Sequence, residues 1–355
     1  MSMNIKSIIV ILLLQAFVLC SKGQSSLINT EPSVIENKNT FTNPLLTSGP
    51  DPWVIQKNGF YYYMHTLGNR IVIYKTKTLS KLNNATKKIV YSASASGPDS
   101  RNIWAPELHF LNNKWYLYYT AGSSGDLATQ RMFVLENSNE DPLQGAWVNK
   151  GQIKDDKADF FAIDATVFSK DGTNYIIWSG HISKTDNTQR LFIAKLSLPW
   201  KMATSRVEIA TPTYEWEKIG SPDVNEGPEI LISPKGKVFL LYSASGCWTD
   251  DYSLGMMSLK NKGNPMNPAD WTKSSLPVFT KKPENGAYGP GHNGFFKSPD
   301  GKEDWIIYHA NAEPDLKCNN ERSPRMQKFT WNADGTPNFG EPVKINTPIL
   351  NPSGE

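Results

Sequence analysis

Five times along the chain a turn leads into a short run of aromatic and β-branched residues, at 60–66, 115–120, 175–179, 239–243 and 305–309. Aligned on Thr66, Thr120, Ser179, Ser243 and His309, the runs recur after 54, 59, 64 and 66 residues. That spacing is too regular for chance and too long for the rungs of a solenoid. Each run follows a shorter apolar strand (53–55, 108–111, 165–168, 230–232 and 294–296) and precedes a third (70–74, 131–135, 190–196, 252–259 and 326–331). A weaker fourth closes each unit at 88–91, 147–153, 216–219, 278–280 and 343–345. Residues of this kind favour strands, and no 3.6-residue apolar stripe lasts a dozen residues, so helices are expected to be scarce. The predicted fold is all-β, a five-bladed β-propeller with four antiparallel strands per blade, forming a single domain over residues 43–355.

The start of the chain reads differently. Lys6, the apolar run 8–19 and the small or polar Ser21, Lys22 and Gly23 follow the order of a secretory signal, so residues 1–23 are expected to be removed on export. The run is too short for a bilayer span of about 20 residues, and no later stretch is long enough. Cys20 suggests a surface lipoprotein, but Leu19 is bulkier than the residue such a signal carries, and a secreted or periplasmic location is preferred. Residues 24–42 are polar and aperiodic and read as a lead-in. Without Lys6 and Lys22 the chain keeps 35 basic and 34 acidic side chains, a net +1, with the basic residues scattered. No nucleic-acid partner is expected. Cys247 and Cys318 remain, and their pairing stays open at this level.

In a propeller the innermost strands surround one axis, so the residues that start them converge from distant parts of the sequence. Here those residues are Asp51, Glu107, Asp164, Glu226 and His292. Singly each has an ordinary reading as a turn or strand-capping residue. Together, four carboxylates sharing an axis repel one another and resist burial, which points to function. Hydrolysis of a glycosidic bond uses such a set, with one carboxyl kept protonated and another ionised. Trp53, Trp104, Phe161 and Trp248 lie near these positions and can stack on sugar faces or simply pack the blades.

Other motifs carry less. The G-x-G-x-x-G pattern at 289–294 precedes a strand, with no helix to hold a pyrophosphate. The five His show no zinc-ligand spacing, and no Ser or Cys nucleophile elbow appears.

Taken in order at blade intervals, Asp51-Pro52-Trp53, Trp104-Ala105-Pro106-Glu107, Ile163-Asp164, Glu226-Gly227-Pro228 and Gly291-His292-Asn293 resemble glycoside hydrolase family 43 from about Asn43 onward. The resemblance implies an inverting hydrolase with Asp51 as general base, Glu226 as general acid and Asp164 tuning the acid. It also implies an Arg of the last blade holding substrate, matched by Arg325 with Arg322 close by, and His292 beside a structural calcium or water cluster. No cofactor is needed for the chemistry. Segments 104–109, 243–248 and 325–329 look most like exo-acting α-L-arabinofuranosidases, which act on arabinan or arabinoxylan. The alternatives are a β-xylosidase with the same three acids, a retaining fructan-type propeller hydrolase and a non-catalytic carbohydrate-binding propeller. The protein is expected to be a monomer.

Overall fold

Each aromatic run becomes the second strand of an antiparallel sheet, and five such sheets follow one another along the chain. The computed structural model describes residues 39–355; the expected signal segment 1–23, Cys20 and most of the lead-in 24–42 lie outside them. After β1 (Thr40–Phe41), blade one holds β2 (Trp53–Lys57), β3 (Phe60–Met64), β4 (Arg70–Thr76) and β5 (Thr86–Ser92). Blade two holds β6 (Arg101–Leu111), β7 (Lys114–Gly122), β8 (Arg131–Asn137) and β9 (Val148–Ile153). Blade three holds β10 (Ala162–Lys170), β11 (Thr173–Gly180) and β12 (Arg190–Leu198), with β13 (Lys201–Met202) and β14 (Val207–Ala210) both paired to β12. Blade four holds β15 (Asn225–Ile232), β16 (Val238–Ala244), β17 (Ser253–Leu259) and β18 (Trp271–Lys273). Blade five holds β19 (Tyr288–Lys297), β20 (Asp304–Asn311), β21 (Ser323–Trp331) and β22 (Pro337–Asn338). A last strand, β23 (Ile349–Leu350), pairs with β1 and brings the two ends of the described chain together.

The cause of this arrangement is visible in single strands. Successive side chains of a strand point to opposite faces, so Tyr61 and Tyr63 of β3 pack toward blade five while Tyr62 and Met64 pack toward blade two. Repeated in every blade, this alternation fills five apolar wedges, one between each pair of neighbours. Each large apolar side chain so buried contributes roughly 1.5–3 kcal/mol, and because both faces of the blade are covered, the second strands read as nearly unbroken apolar runs.

The outermost strands depart from expectation in three blades. Those of blades three, four and five lie at 207–210, 271–273 and 337–338, rather than 216–219, 278–280 and 343–345. Trp216 sits instead in the short 3-10 turn Glu215–Glu217. An edge strand pairs on one side and buries little, so its apolar pattern is faint.

Candidate active site

Four of the five innermost strands are interrupted near their mouth end by a register shift, between Trp104 and Glu107, Ile163 and Thr166, Glu226 and Glu229, and Gly291 and Gly294. At each shift one residue enters the left-handed region: Ala105 (φ 41°), Asp164 (φ 58°), Gly227 (φ 52°) and His292 (φ 48°). Blade one does the same just before β2, at Asp51 (φ 55°). Bulges of this kind re-aim side chains and are common beside active sites. Gly227 is required twice over, since a Cβ there would meet the His292 ring at 3.1 Å.

A closed ring of bonds between blades holds these residues or, in blade four, Asn225 two positions before Gly227. Thr66 Oγ1 accepts from the Ala105 N–H (2.7 Å), and Thr120 Oγ1 from the Asp164 N–H (3.1 Å). Ser179 Oγ donates to the Asn225 carbonyl (2.8 Å), Ser243 Oγ accepts from the His292 N–H (2.8 Å), and His309 Nδ1 accepts from the Asp51 N–H (3.0 Å). These are the five residues on which the sequence repeats align. Each blade therefore pins the mouth residue of the next, and the fifth pins the first. The alignment was legible in the sequence, but the role of its column was not.

Asp51, Asp164 and Glu226 are 8%, 5% and 8% exposed. A chain of contacts joins them: Asp164 Oδ2 accepts from the Gly227 N–H at 3.0 Å, Gly227 lies against His292, and His292 Nδ1 is 3.5 Å from Asp51 Oδ1. Their electrostatics differ. Burial works to raise the Asp51 pKa, but Arg322 Nη1 at 2.9 Å, His292, His309 and the Thr66 hydroxyl at 2.6 Å outweigh it and hold the carboxyl well below its ordinary range. Burial pushes Glu226 up to about 7 with help from the Asp51 charge, against the Tyr252 hydroxyl that donates to Oε1 at 2.8 Å. Asp164 is raised well above its ordinary value by burial, then by Glu226 and Asp51.

The remaining candidates divide. Trp104 is half-buried on β6 and Trp248 half-buried in the loop after β16, its indole over Gly220 and Gly246. Phe161 has one face covered by the His181 ring, with centroids 4.4 Å apart. Trp53 is buried at the seam of blades one and two, where its indole N–H donates to the Leu108 carbonyl at 3.2 Å and its ring lies on His109. Arg325 stands apart from the acids. It is fully buried inside blade five, donating to the Gly286 and Ala310 carbonyls, because its place on β21 faces the wedge with blade four. The guanidinium that reaches the acids is that of Arg322, two residues past Asn320 in the loop before β21.

Glu107 lies within the field of Asp164 and contacts His109 Nε2 at 2.8 Å. It shares a buried cluster with Glu229, whose carboxylate accepts from Thr166 at 3.2 Å. Glu229 escaped the sequence reading because it stands inside an apolar strand, three residues past Glu226. Cys247 and Cys318 form a disulfide. Among the described residues no group of three or more His, Cys, Asp or Glu side chains converges on a metal position, and the nearest carboxylate to His292 is already held by a guanidinium. None of the described helices is long and apolar enough to cross a membrane.

Comparison with known proteins gives this geometry its setting. An extracellular exo-alpha-(1->5)-L-arabinofuranosidase of Streptomyces avermitilis is 44% identical over 312 residues, which is 86% of this chain and 64% of that protein. This chain thus spans somewhat less than two thirds of that relative's length. One of the same description from Streptomyces chartreusis is 39% identical over 280 residues, 78% of this chain and 84% of that protein. The crystal structure of an alpha-L-arabinofuranosidase from Lactobacillus brevis superposes with a TM-score of 0.81 at 34% identity, covering 86% of this chain and 98% of that one. Residues 41–337 match the profile of the glycosyl hydrolases family 43. With its five blades and the relatives that share them, the chain belongs to that family.

Proposed function

We propose that the protein is an exported, inverting glycoside hydrolase that removes terminal α-L-arabinofuranosyl residues from arabinan or arabinose-bearing plant polysaccharide, as a monomer and without a cofactor. The observation that carries the reading is the opposed surroundings of two buried carboxyl groups at one mouth: Arg322 at 2.9 Å and the Thr66 hydroxyl at 2.6 Å favour the ionised form of Asp51, while Glu226 meets a single phenol and burial pushes it up to about 7. Protonated Glu226 gives its proton to the leaving glycosidic oxygen as the bond from the anomeric carbon to that oxygen breaks. Asp51 takes a proton from the water that attacks the opposite face, and the new hydroxyl has inverted configuration. Tyr252 stabilises the Glu226 carboxylate once the proton has left. Asp164, bonded to the peptide N–H of Gly227, fixes the backbone beside the acid. Arg322 holds the base, and Trp104 and Trp248 offer the aromatic surfaces for the sugar.

The arabinose preference and the exo action follow the names of the relatives. Export is supported by the basic and apolar order of residues 1–23 and by a disulfide suited to an oxidising compartment. Proton NMR during hydrolysis of linear arabinan, branched arabinan and xylan tests the whole reading. Arabinose released first as the inverted anomer supports it; a retained anomer, or xylose in place of arabinose, overturns it.

A further inference from the structure

Two loops at the mouth end of the propeller supply partners to the two acids just assigned. The loop 245–252, between β16 and β17, ends at Tyr252 on Glu226; the loop 312–322, between β20 and β21, ends at Arg322 on Asp51. Strand registers fix their location, since Glu226 faces Ser243 and Gly291 faces His309.

The loops are held unequally. Tyr252 is 1% exposed and stacked on the His309 ring at an interplanar angle of 6°, so the blade-four loop is anchored at its end. The blade-five loop is mostly exposed; the Arg322 carbonyl accepts from the Gly49 N–H at 3.0 Å, but among the described residues the Arg322 side chain is held only by the Asn319 carbonyl of the same loop and by Asp51 itself. A long side chain on an exposed loop loses much conformational freedom when held in one place. Among the described residues one hydrogen bond joins the two loops, from the exposed Asp315 N–H to Asp250 Oδ1 at 3.0 Å. The covalent tie is the Cys247–Cys318 disulfide, and Cys318 stands four residues before Arg322.

We infer that the Cys247–Cys318 disulfide is a positioning element of the active site, using the anchored blade-four loop as a fixed point from which it keeps Arg322 on Asp51. This rests on the assignment of Asp51 as the base. Cys318 is exposed, so a reductant can reach the bond in the folded protein and the same link can set activity by redox state. Opening it takes two electrons and two protons from an added dithiol, whose two sulfurs join in a disulfide of their own as both cysteines become thiols.

The test is steady-state kinetics of the full chain on an aryl α-L-arabinofuranoside and on arabinan, well below the melting temperature. It compares wild type, the double variant Cys247→Ser with Cys318→Ser, Arg322→Ala, and the three changes combined. The double variant is expected to lose about tenfold or more in kcat with little change in KM, since small misplacements of a catalytic group are costly. In the Arg322→Ala background, removal of the disulfide should cost nothing further. If the disulfide is only a staple, its removal lowers Tm in both backgrounds and leaves kcat alone. A folded double variant with wild-type kcat overturns the inference, as does an equal loss in both backgrounds. If the double variant does not fold, wild type reduced under native conditions and then reoxidised gives the same readout. A wild type that releases no arabinose refutes the proposed function itself; an active one indifferent to the disulfide refutes only this inference.

Discussion

Asp51 and Glu226 both stand at the mouth end of an innermost strand, yet the seams around them are opposites. Where blade five meets blade one, the carboxyl faces a guanidinium, two imidazole rings and a donated hydroxyl. Where blade three meets blade four, the Glu226 charge works against ionisation of Asp164, neither acid has a salt-bridge partner among the described residues, and Glu226 has one phenol and the field of Arg322 without its contact. The repeat thus decides where a side chain points, and the non-repeated neighbours decide whether it carries a proton. A symmetric scaffold yields an asymmetric pair because Arg322 arrives from one loop and has no counterpart in the other blades.

The largest expected effect comes from breaking the acid side. Glu226→Gln should lower kcat on arabinan by about 10²–10⁴-fold, the usual contribution of a general acid. Aryl arabinofuranosides with activated leaving groups need little protonation and should keep most of their rate. An equal loss on both substrates would remove Glu226 from the acid role.

Next in size is the base side. In wild type the ionised Asp51 persists far into acid, so rate should fall on the basic limb first, as Glu226 loses its proton near pH 7. Arg322→Met removes the strongest counter to the burial of Asp51. The acid limb of kcat/KM should then move up toward the ordinary carboxylate range, with a loss of about tenfold at pH 3 and almost none at pH 6. An unmoved acid limb would show that the imidazoles alone suffice.

The fold was legible because its signal is repeated: five aromatic runs, each buried on both faces, leave a pattern that survives local noise. The edge strands 207–210, 271–273 and 337–338 were not legible, since half-exposed pairing demands little of a sequence. At the site, Asp51, Asp164 and Glu226 stood out because carboxyl groups at strand starts recur with the repeat. Arg322 against Arg325 was decided by the alternation of β21, which turns Arg325 into the wedge, and by a loop whose course no periodicity encodes. Trp53 carried the right residue type at the right place and still packs a blade seam.

Smaller effects probe the ring beneath both seams. Ser243→Ala leaves the buried His292 N–H without an acceptor, a cost of about 1–3 kcal/mol. Because His292 lies between Gly227 and Asp51, its relaxation should reach both acids and lower kcat/KM about three- to tenfold, alongside a lower Tm. A change in Tm alone would make the ring a scaffold without influence on either side.

The smallest effect is expected at Trp53, and its test separates packing from recognition. Trp53→Phe keeps most of the apolar bulk but deletes the indole N–H, leaving the Leu108 carbonyl unpaired at the seam of blades one and two. That should cost about 1 kcal/mol of stability, seen as a Tm lower by a few degrees. The indole touches neither Arg322 nor Tyr252, so neither seam of the mouth should respond, and KM for arabinan should stay within twofold of wild type. A KM raised severalfold with unchanged Tm would return Trp53 to the sugar-binding surface and mean that the blade one–two seam, like the other two, takes part in the site.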